Sequence, residues 1–436
     1  MFRPLNTLLF LITVFGTLLS GITSAQQQGN KQGQLRNQIP SRGFIFETVS
    51  IPSKSGQNLY ISYKVEYNRL VFVRDEDKFI SRFSVSVEVI DSVSGKIYRE
   101  TQKKEVFVNN YELTNAPYKY VEGLIKLDLP SGKYRLLPSV YDINTGIEHN
   151  FPFVKVEPGI LPSADLLEPL VVKDISKDGQ MLFALANYEG NIPFSRDKYN
   201  LIIPVTDTSL RSVKVEIWNE DSLIIQKELT RSFISSIYLT QDGDNILLND
   251  KKGGVQTRNF VIEEANRNLK EGGVRIKVSY GDNFGKKHTF IKYSKWYNKP
   301  FALFNTEYAV KLLKYIASEN DIETVLSHSG QLLPMALFEF WKKYDPTPNT
   351  SFNEIMEEYY QRVDYAINNF SVIPTRNGAE TDRGKIYIKF GKPKDIERTY
   401  ADSKDVKEIW HYDTPGRQFV FVDKSGLGNF VLNMNL

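Results

Sequence analysis

Cysteine is absent from the 436 residues. Disulfides, thiolate metal sites, cysteine nucleophiles and thiol redox work are therefore excluded, and every domain must hold together by burial alone. Histidine is nearly as scarce. His149, His288, His328 and His411 are the four in the chain, and no two fall within five residues of each other. A zinc site built on close histidine pairs is not encoded. A Gly-x-Ser-x-Gly elbow and a Gly-rich phosphate loop ending in Lys-Ser or Lys-Thr are also missing. A dispersed Ser-His-Asp triad is the one nucleophilic arrangement that spacing leaves open. Charge is close to balance, with 55 basic and 52 acidic side chains. Lysines and arginines come as scattered pairs such as Lys103-Lys104, Lys251-Lys252 and Lys286-Lys287, with no basic stripe. Nucleic acid is thereby disfavoured as a partner. No cofactor is implied.

The only long hydrophobic run is at the start. Arg3 precedes an apolar stretch from Leu8 to Ile22, and Thr23-Ser24-Ala25 leads into polar Gln26-Gln27-Gln28. Small residues before a polar switch are what a signal peptidase reads, so residues 1–25 are expected to be an export signal. The run is shorter than the roughly 20 residues a spanning helix needs. No transmembrane segment is expected in the mature chain, and without a Cys after the run no lipid-modified N-terminus is expected either. Residues 26–42 hold six glutamines and two glycines with little that is apolar, the composition of a disordered spacer.

From Phe44 the pattern has a period of two. Ile61, Tyr63, Val65 and Tyr67 alternate with polar residues, as do Phe83, Val85, Val87 and Val89. Such alternation predicts half-buried antiparallel strands, about seven of them up to Pro158. A second block echoes the first. Leu129-Pro-Ser-Gly-Lys-Tyr-Arg-Leu has its counterpart in Leu269-Lys-Glu-Gly-Gly-Val-Arg-Ile, and Val87-Glu-Val-Ile-Asp in Val215-Glu-Ile-Trp-Asn. The expected fold is multidomain and mainly β. Two tandem immunoglobulin-like β-sandwiches (43–157 and 164–297, joined through Pro158–Pro162) precede a C-terminal α+β domain at 300–436. Tyr134 stands where a tyrosine corner belongs, and Val274 takes its place in the second block.

After Trp296 the period becomes 3.6. Ala309, Leu312, Leu313 and Ile316 form one helical face, and Leu337, Phe338 and Trp341 another. Ser351 and Glu354 read as a capping box opening a helix whose core face is Ile355, Tyr359, Val363, Ala366 and Phe370. Alternation then returns in Ile386/Ile388/Phe390, Trp410/Tyr412 and Phe419/Phe421, which predicts strands. Gly384 is expected to provide a positive φ entering the strand Lys385–Phe390, and Gly391-Lys-Pro393 to end it. Asp242-Gly-Asp244-Asn245 could offer oxygens to calcium, but lacks the Glu at the twelfth loop position. A polar hairpin turn explains it more simply.

Several segments in this last region resemble the GWxTD domain, a module named for a Gly-Trp-x-Thr-Asp motif. They are Phe338-Glu-Phe-Trp341, Asp345-Pro-Thr-Pro348, Glu358-Tyr-Tyr-Gln-Arg-Val363 and Thr381-Asp-Arg-Gly-Lys-Ile-Tyr-Ile388. Gly391-Lys-Pro393, Glu408-Ile-Trp410 and Phe419-Val-Phe-Val-Asp423 follow in order. The name-giving tryptophan is replaced by Ala379. The resemblance implies an exported bacterial protein of the Bacteroidota or related lineages, with no defining enzyme activity. A protein partner in the cell envelope, with the chain in the periplasm, associated with the outer membrane or outside the cell, is the matching expectation.

The candidate interaction residues are Thr381, Asp382, Arg383, Trp410 and Tyr412. Arg383 offers a planar fork to a carboxylate or phosphate. Otherwise Asp382 and Arg383 lock their loop to the preceding helix, through Glu358 or Arg362. A hydrolase using two carboxylates in a cleft between the last two domains is the alternative from another class.

Cleavage after Ala25 is expected to leave Gln26 as the mature N-terminus, which mass spectrometry of protein extracted from its native cells can check. Recovery of the intact Met1 terminus would contradict it.

Overall fold

The computed structural model describes residues 43–433 apart from 55, 117–118, 131, 157–165, 373–376, 401–404 and 414–416. The expected signal and spacer and the Pro158–Pro162 link lie outside the described residues.

Phe83, Val85, Val87 and Val89 are fully buried on one side of the strand Lys78–Asp91. The strands Ile97–Val108 and Tyr134–Asp142 pair antiparallel with it on either side, and Ile147–Asn150 lies beyond. A three-stranded sheet in the order Phe44–Ser53, Gly56–Glu66, Tyr120–Leu129 faces this group. Ile61, Tyr63, Ile125 and Leu136 are among the side chains that fill the space between the sheets. Two short strands, Val73–Asp75 and Val154–Val156, bring the block to nine. The Tyr134 hydroxyl donates to the Pro130 carbonyl at 2.7 Å, the backbone tie of a tyrosine corner.

The second block repeats this strand order. Leu170–Lys177, Asn200–Val205 and Thr257–Ile262 stand in for the three-stranded sheet. Ser222–Leu229, Val213–Asn219, Gly272–Tyr280 and Lys286–Lys295 stand in for the four. The sequence echo holds in register, since Asn219 pairs with Val274 as Asp91 pairs with Tyr134. Insertions enlarge its first sheet. Gln180–Leu185, Asn245–Asp250 and Ile237–Asp242 extend one edge, and Ser232–Ser235 adds to the other, giving seven strands. Only Ser236 separates the two edge strands in sequence, so the sheet curls until its edges approach each other. Asp242 and Asn245 flank Gly243, whose φ is +57°, which makes that acidic stretch a hairpin turn.

One face of the curled sheet packs into the second block's own core through Leu201, Ile203, Phe260 and Ile262. The other face collects Val172, Leu185, Ile202, Leu239 and Ile246, and Val49, Ile51 and Tyr60 of the first block complete that cluster. The two blocks thus share a core. One buried cation at the seam is matched. Lys64 is buried, sits 3.2 Å from Glu122 and donates to the Ala186 carbonyl at 3.0 Å. Burial pushes its pKa down, against the pull of Glu122.

The helices Thr306–Leu312, Glu319–Leu326, Leu332–Lys342, Glu354–Phe370 and Asp382–Phe390 come next. A four-stranded antiparallel sheet of Asp395–Tyr400, Val406–His411, Gln418–Asp423 and Val431–Leu432 ends the chain. Their single core takes in Phe194 and Trp296 from the second block. These two meet Phe352 in an aromatic trio with ring centroids 5.5, 5.0 and 5.3 Å apart. Among the described residues no helix is long and apolar enough to cross a membrane.

Several local expectations are corrected. The predicted strand Lys385–Phe390 is the helix Asp382–Phe390. Gly384, Ile386, Tyr387 and Ile388 are its buried residues, and spacing of three and four places Gly384, Tyr387 and Ile388 on one helical face. Over so few residues, alternation at 386/388/390 could not distinguish the two periods. Gly384 has no positive φ. It is small because a Cβ there would stand 1.9 Å from the Gly378 carbonyl oxygen. The helix Glu354–Phe370 is capped by Asn353, whose side chain accepts from the Met356 N–H at 2.8 Å, rather than by Ser351. Its core face uses Met356 and Tyr360 where Ile355 was expected, and Ile355 is exposed. Ile316 is likewise exposed at the end of its helical stretch.

Tyr60→Ala removes a ring that is 1% exposed from the shared cluster. The expected loss is about 3–5 kcal/mol, read by urea unfolding, with both sandwich blocks destabilised together. A shift confined to the first block would show that the shared core does not couple them.

Candidate functional site

The segment Gly378-Ala-Glu-Thr-Asp382 is built by close approach and capping. Gly378 passes so near the helix Glu354–Phe370 that a Cβ on it would lie 2.0 Å from the Ala366 carbonyl oxygen. Ala379 is fully buried, and its carbonyl accepts from the Tyr315 hydroxyl at 2.7 Å. Thr381 is the N-cap of the helix Asp382–Phe390. Its Oγ1 accepts from the Gly384 N–H at 3.0 Å and donates to the Gly378 carbonyl at 2.8 Å. Side-chain oxygens at this position satisfy donors that a helix start leaves open.

Asp382 reaches across to the last strand. Its Oδ2 accepts from the Leu432 N–H at 3.1 Å, and its Oδ1 lies 3.0 Å from Lys385 Nζ. Arg383 points into the domain. Its side chain is 12% exposed and its Nη1 lies 3.3 Å from Glu408 Oε2. Nη2 donates to the Gly428 carbonyl at 3.2 Å, and the guanidinium covers the rings of Phe430 and Phe370 at 4.1 and 5.0 Å. Burial pushes its pKa below the ordinary value, with the Glu408 carboxylate opposing.

Glu408 is the hub. Its side chain is 3% exposed and accepts from Arg383, from Arg398 Nε at 3.0 Å and from the Trp410 indole N–H at 3.3 Å. Trp410 is itself buried, with Phe421 and Phe370 at ring distances of 4.8 and 5.5 Å. Tyr412 is half-buried. It donates to the Gly391 carbonyl at 3.0 Å and packs on Phe390 and Phe419.

A second closed carboxylate sits beside this one. Asp423 Oδ1 accepts from Ser425 Oγ at 2.8 Å and from the Ser425 and Gly426 N–H groups at 3.0 Å, while Oδ2 accepts from the Gly428 N–H at 2.6 Å. Burial alone would raise this carboxyl, but those donors outweigh it and hold its pKa below the usual aspartate value.

The structure therefore brings Thr381, Asp382, Arg383 and Trp410 together around Glu408, and places Tyr412 on the neighbouring aromatic layer. The polar atoms of the group point inward. Arg383 is committed to Glu408 and Gly428 and does not present a free fork. The ion pair of Arg383 is with Glu408 rather than with Glu358. Glu358 and Arg362 pair with each other one helical turn apart, and Arg362 reaches the Lys389 carbonyl at the end of the short helix. Glu408, Arg398 and Asp423 are the members that sequence reasoning missed. Strand alternation puts Glu408 on the same face as Trp410, two residues on, and Asp423-Lys-Ser-Gly426 carries a turn signal.

A family model described as the GWxTD domain matches residues 287–433. The match starts inside the strand Lys286–Lys295, so the family unit includes the sandwich strand that delivers Trp296. No curated protein matches the chain.

Glu408→Gln leaves Arg383 buried without a counter-charge, and a loss of about 3–5 kcal/mol is expected. Asp382→Ala strands the Leu432 N–H, at an expected cost of about 1–3 kcal/mol. Urea denaturation measures both. Wild-type stability in either variant, together with lost capture of a partner, would make this cluster a binding site instead.

Proposed function

We propose that this chain, which carries a GWxTD domain over residues 287–433, is an exported, non-enzymatic protein of the cell envelope. Its β-sandwich modules present the C-terminal domain to a protein partner. The observation that carries this reading is the commitment of the motif's charges. Thr381 caps a helix, Asp382 holds the last strand, and Arg383 neutralises a buried Glu408. These side chains are spent on architecture, as expected of a module whose outer surface meets a partner. Export rests on the N-terminal pattern of Arg3, the Leu8–Ile22 run and Thr23-Ser24-Ala25. The strand order common to both blocks supports reading them as immunoglobulin-like sandwiches. The aromatic trio of Phe194, Trp296 and Phe352 fixes the last domain to its carrier, so the sandwiches serve as a stiff support.

The hydrolase alternative has one observation in its favour. Burial raises the Glu357 carboxyl pKa where the second block meets the last domain, with Arg196, Asp197 and Glu354 near by. The aromatic trio packs in the same region, and that apolar packing is sufficient reason for the shift. A hydrolytic activity lost in Glu357→Gln is what the alternative requires.

The test is photo-crosslinking in cells from Met335, which is 63% exposed on the C-terminal domain, and from Val93, which is 89% exposed on the first sandwich. A discrete crosslinked protein from position 335 and none from position 93 is expected, in envelope fractions. Equal yields from both positions, or recovery of the chain only in cytoplasmic fractions, would refute the proposal.

A further inference from the structure

Three side chains meet at the seam between the two sandwich blocks in an arrangement richer than an ion pair. Lys64 stands on the strand Gly56–Glu66, with Glu122 opposite it on Tyr120–Leu129. Asn187 comes just after the strand Gln180–Leu185 of the second block. Glu122 serves both neighbours with separate oxygens. Its Oε1 lies 3.2 Å from Lys64 Nζ, and its Oε2 accepts from Asn187 Nδ2 at 2.9 Å. Lys64 Nζ also donates to the Ala186 carbonyl at 3.0 Å and lies 3.7 Å from the centre of the Tyr188 ring. The amine is thus clamped against the residues on both sides of Asn187.

The place is closed to water. Lys64 is 5% exposed and Asn187 is fully enclosed. Burial pushes the lysine pKa down, with Glu122 and then Glu47 opposing, and desolvation of this kind favours the neutral amine that a nucleophile needs. Glu47, the second carboxyl to act on Lys64, has its own pKa raised by burial, so Glu122 is the carboxylate at hand. Asn187 Oδ1 has no hydrogen-bond partner among the described residues. An enclosed acceptor left open in this way costs free energy and signals a group with work beyond packing.

An amine, an amide and a carboxylate bonded to both are the parts needed to join the first two. We propose that Lys64 and Asn187 form a covalent amide link, with Glu122 carrying the proton. Nζ attacks Cγ of Asn187, and a new N–C bond forms. The Glu122 carboxylate accepts a proton from Nζ and delivers it to Nδ2. The Cγ–Nδ2 bond then breaks, its electron pair stays on nitrogen, and ammonia leaves. Glu122 ends as it began and nothing is oxidised or reduced, so no cofactor or second substrate enters. Holding the reactants side by side in one enclosure supplies the main rate advantage, and the exclusion of water protects the product from hydrolysis. The link ties the first block to the second in a chain that has no cysteine. It belongs to the sandwich seam and does not depend on the role given above to the C-terminal domain.

The test is tryptic mapping of the full mature chain by tandem mass spectrometry. The expected product is a branched peptide joining residues 55–69 to residues 178–196, uncut at Lys64. Its mass falls below the sum of the two linear peptides by one ammonia, about 17 Da. The branched peptide is the readout, and not the intact mass, because cyclisation of an N-terminal Gln26 also expels ammonia. Glu122→Gln keeps the size of the side chain but cannot take the proton. In that variant the bond is expected to form on the order of 100-fold more slowly, and both linear peptides appear. Full recovery of linear peptides cut at Lys64 from the folded wild-type chain would overturn the proposal, however the variant folds. So would a wild-type yield of the branched peptide from a folded Glu122→Gln chain, which would remove the carboxylate from the reaction.

Discussion

A buried carboxylate has to be matched, and Glu408 is the point on which the C-terminal domain turns. Its side chain is almost fully enclosed, so its charge would be very costly there without close cations and donors. Arg383 comes from the short helix, Arg398 from the adjacent strand, and the Trp410 N–H from Glu408's own strand. Three elements are thereby held at fixed distances from one atom group. The motif before the helix follows from this. Arg383 reaches Glu408 only if the helix begins at Asp382, Thr381 sets that beginning by capping, and Gly378 lets the turn lie flat on the preceding helix. Asp382 then ties the last strand to the same helix start.

The replacement of the motif tryptophan by Ala379 is easier to understand against this arrangement. The residues on either side are fixed by backbone constraints: no Cβ fits at Gly378, and only a short side-chain oxygen caps at Thr381. Position 379 contributes a side chain to the core, whose carbonyl partner Tyr315 bonds to the backbone and not to the side chain. Ala379 belongs to the same buried cluster as the aromatic rings of Phe370, Tyr387, Trp410 and Phe421. Side-chain identity at a core position can drift when volume is conserved around it, whereas backbone approach and capping cannot. The motif's polar and glycine positions are thus the more constrained half.

The mainly β character, the repeat of the two blocks and the change of period after Trp296 were legible in the sequence because each rests on a long run with one period. Asp91 and Asn219 even marked equivalent positions opposite Tyr134 and Val274. What could not be read was short or relational. Nine residues of helix at Asp382–Phe390 imitated a strand because Ile386, Ile388 and Phe390 fall by chance at every second position within about two turns. Glu408 looked like one carboxylate among many, since its importance comes from Arg383 and Arg398, far apart in the chain until the sheet forms. The curl of the seven-stranded sheet depends on the single residue Ser236 between two edge strands, and no local pattern reports which edges those strands will occupy.

Without disulfides, the chain has to keep three units in register by burial, and it does so by making each unit's core incomplete. Val49, Ile51 and Tyr60 belong to the first sandwich in sequence but close a cluster that the second sandwich wraps. Phe194 and Trp296 belong to the second sandwich but complete the core of the helices and sheet that follow. Large apolar faces of this kind are expensive to expose, so relative motion about these seams is opposed by the same energy that folds the units. Modules joined by polar interfaces move by default; these are joined by cores. Arg383 and Glu408 extend that logic inside the last domain, where charge takes over the fastening that apolar contact performs elsewhere. The outer surfaces are therefore carried on a stiff frame, and among the described residues the curled sheet of the second block leaves a cleft beside Ser236.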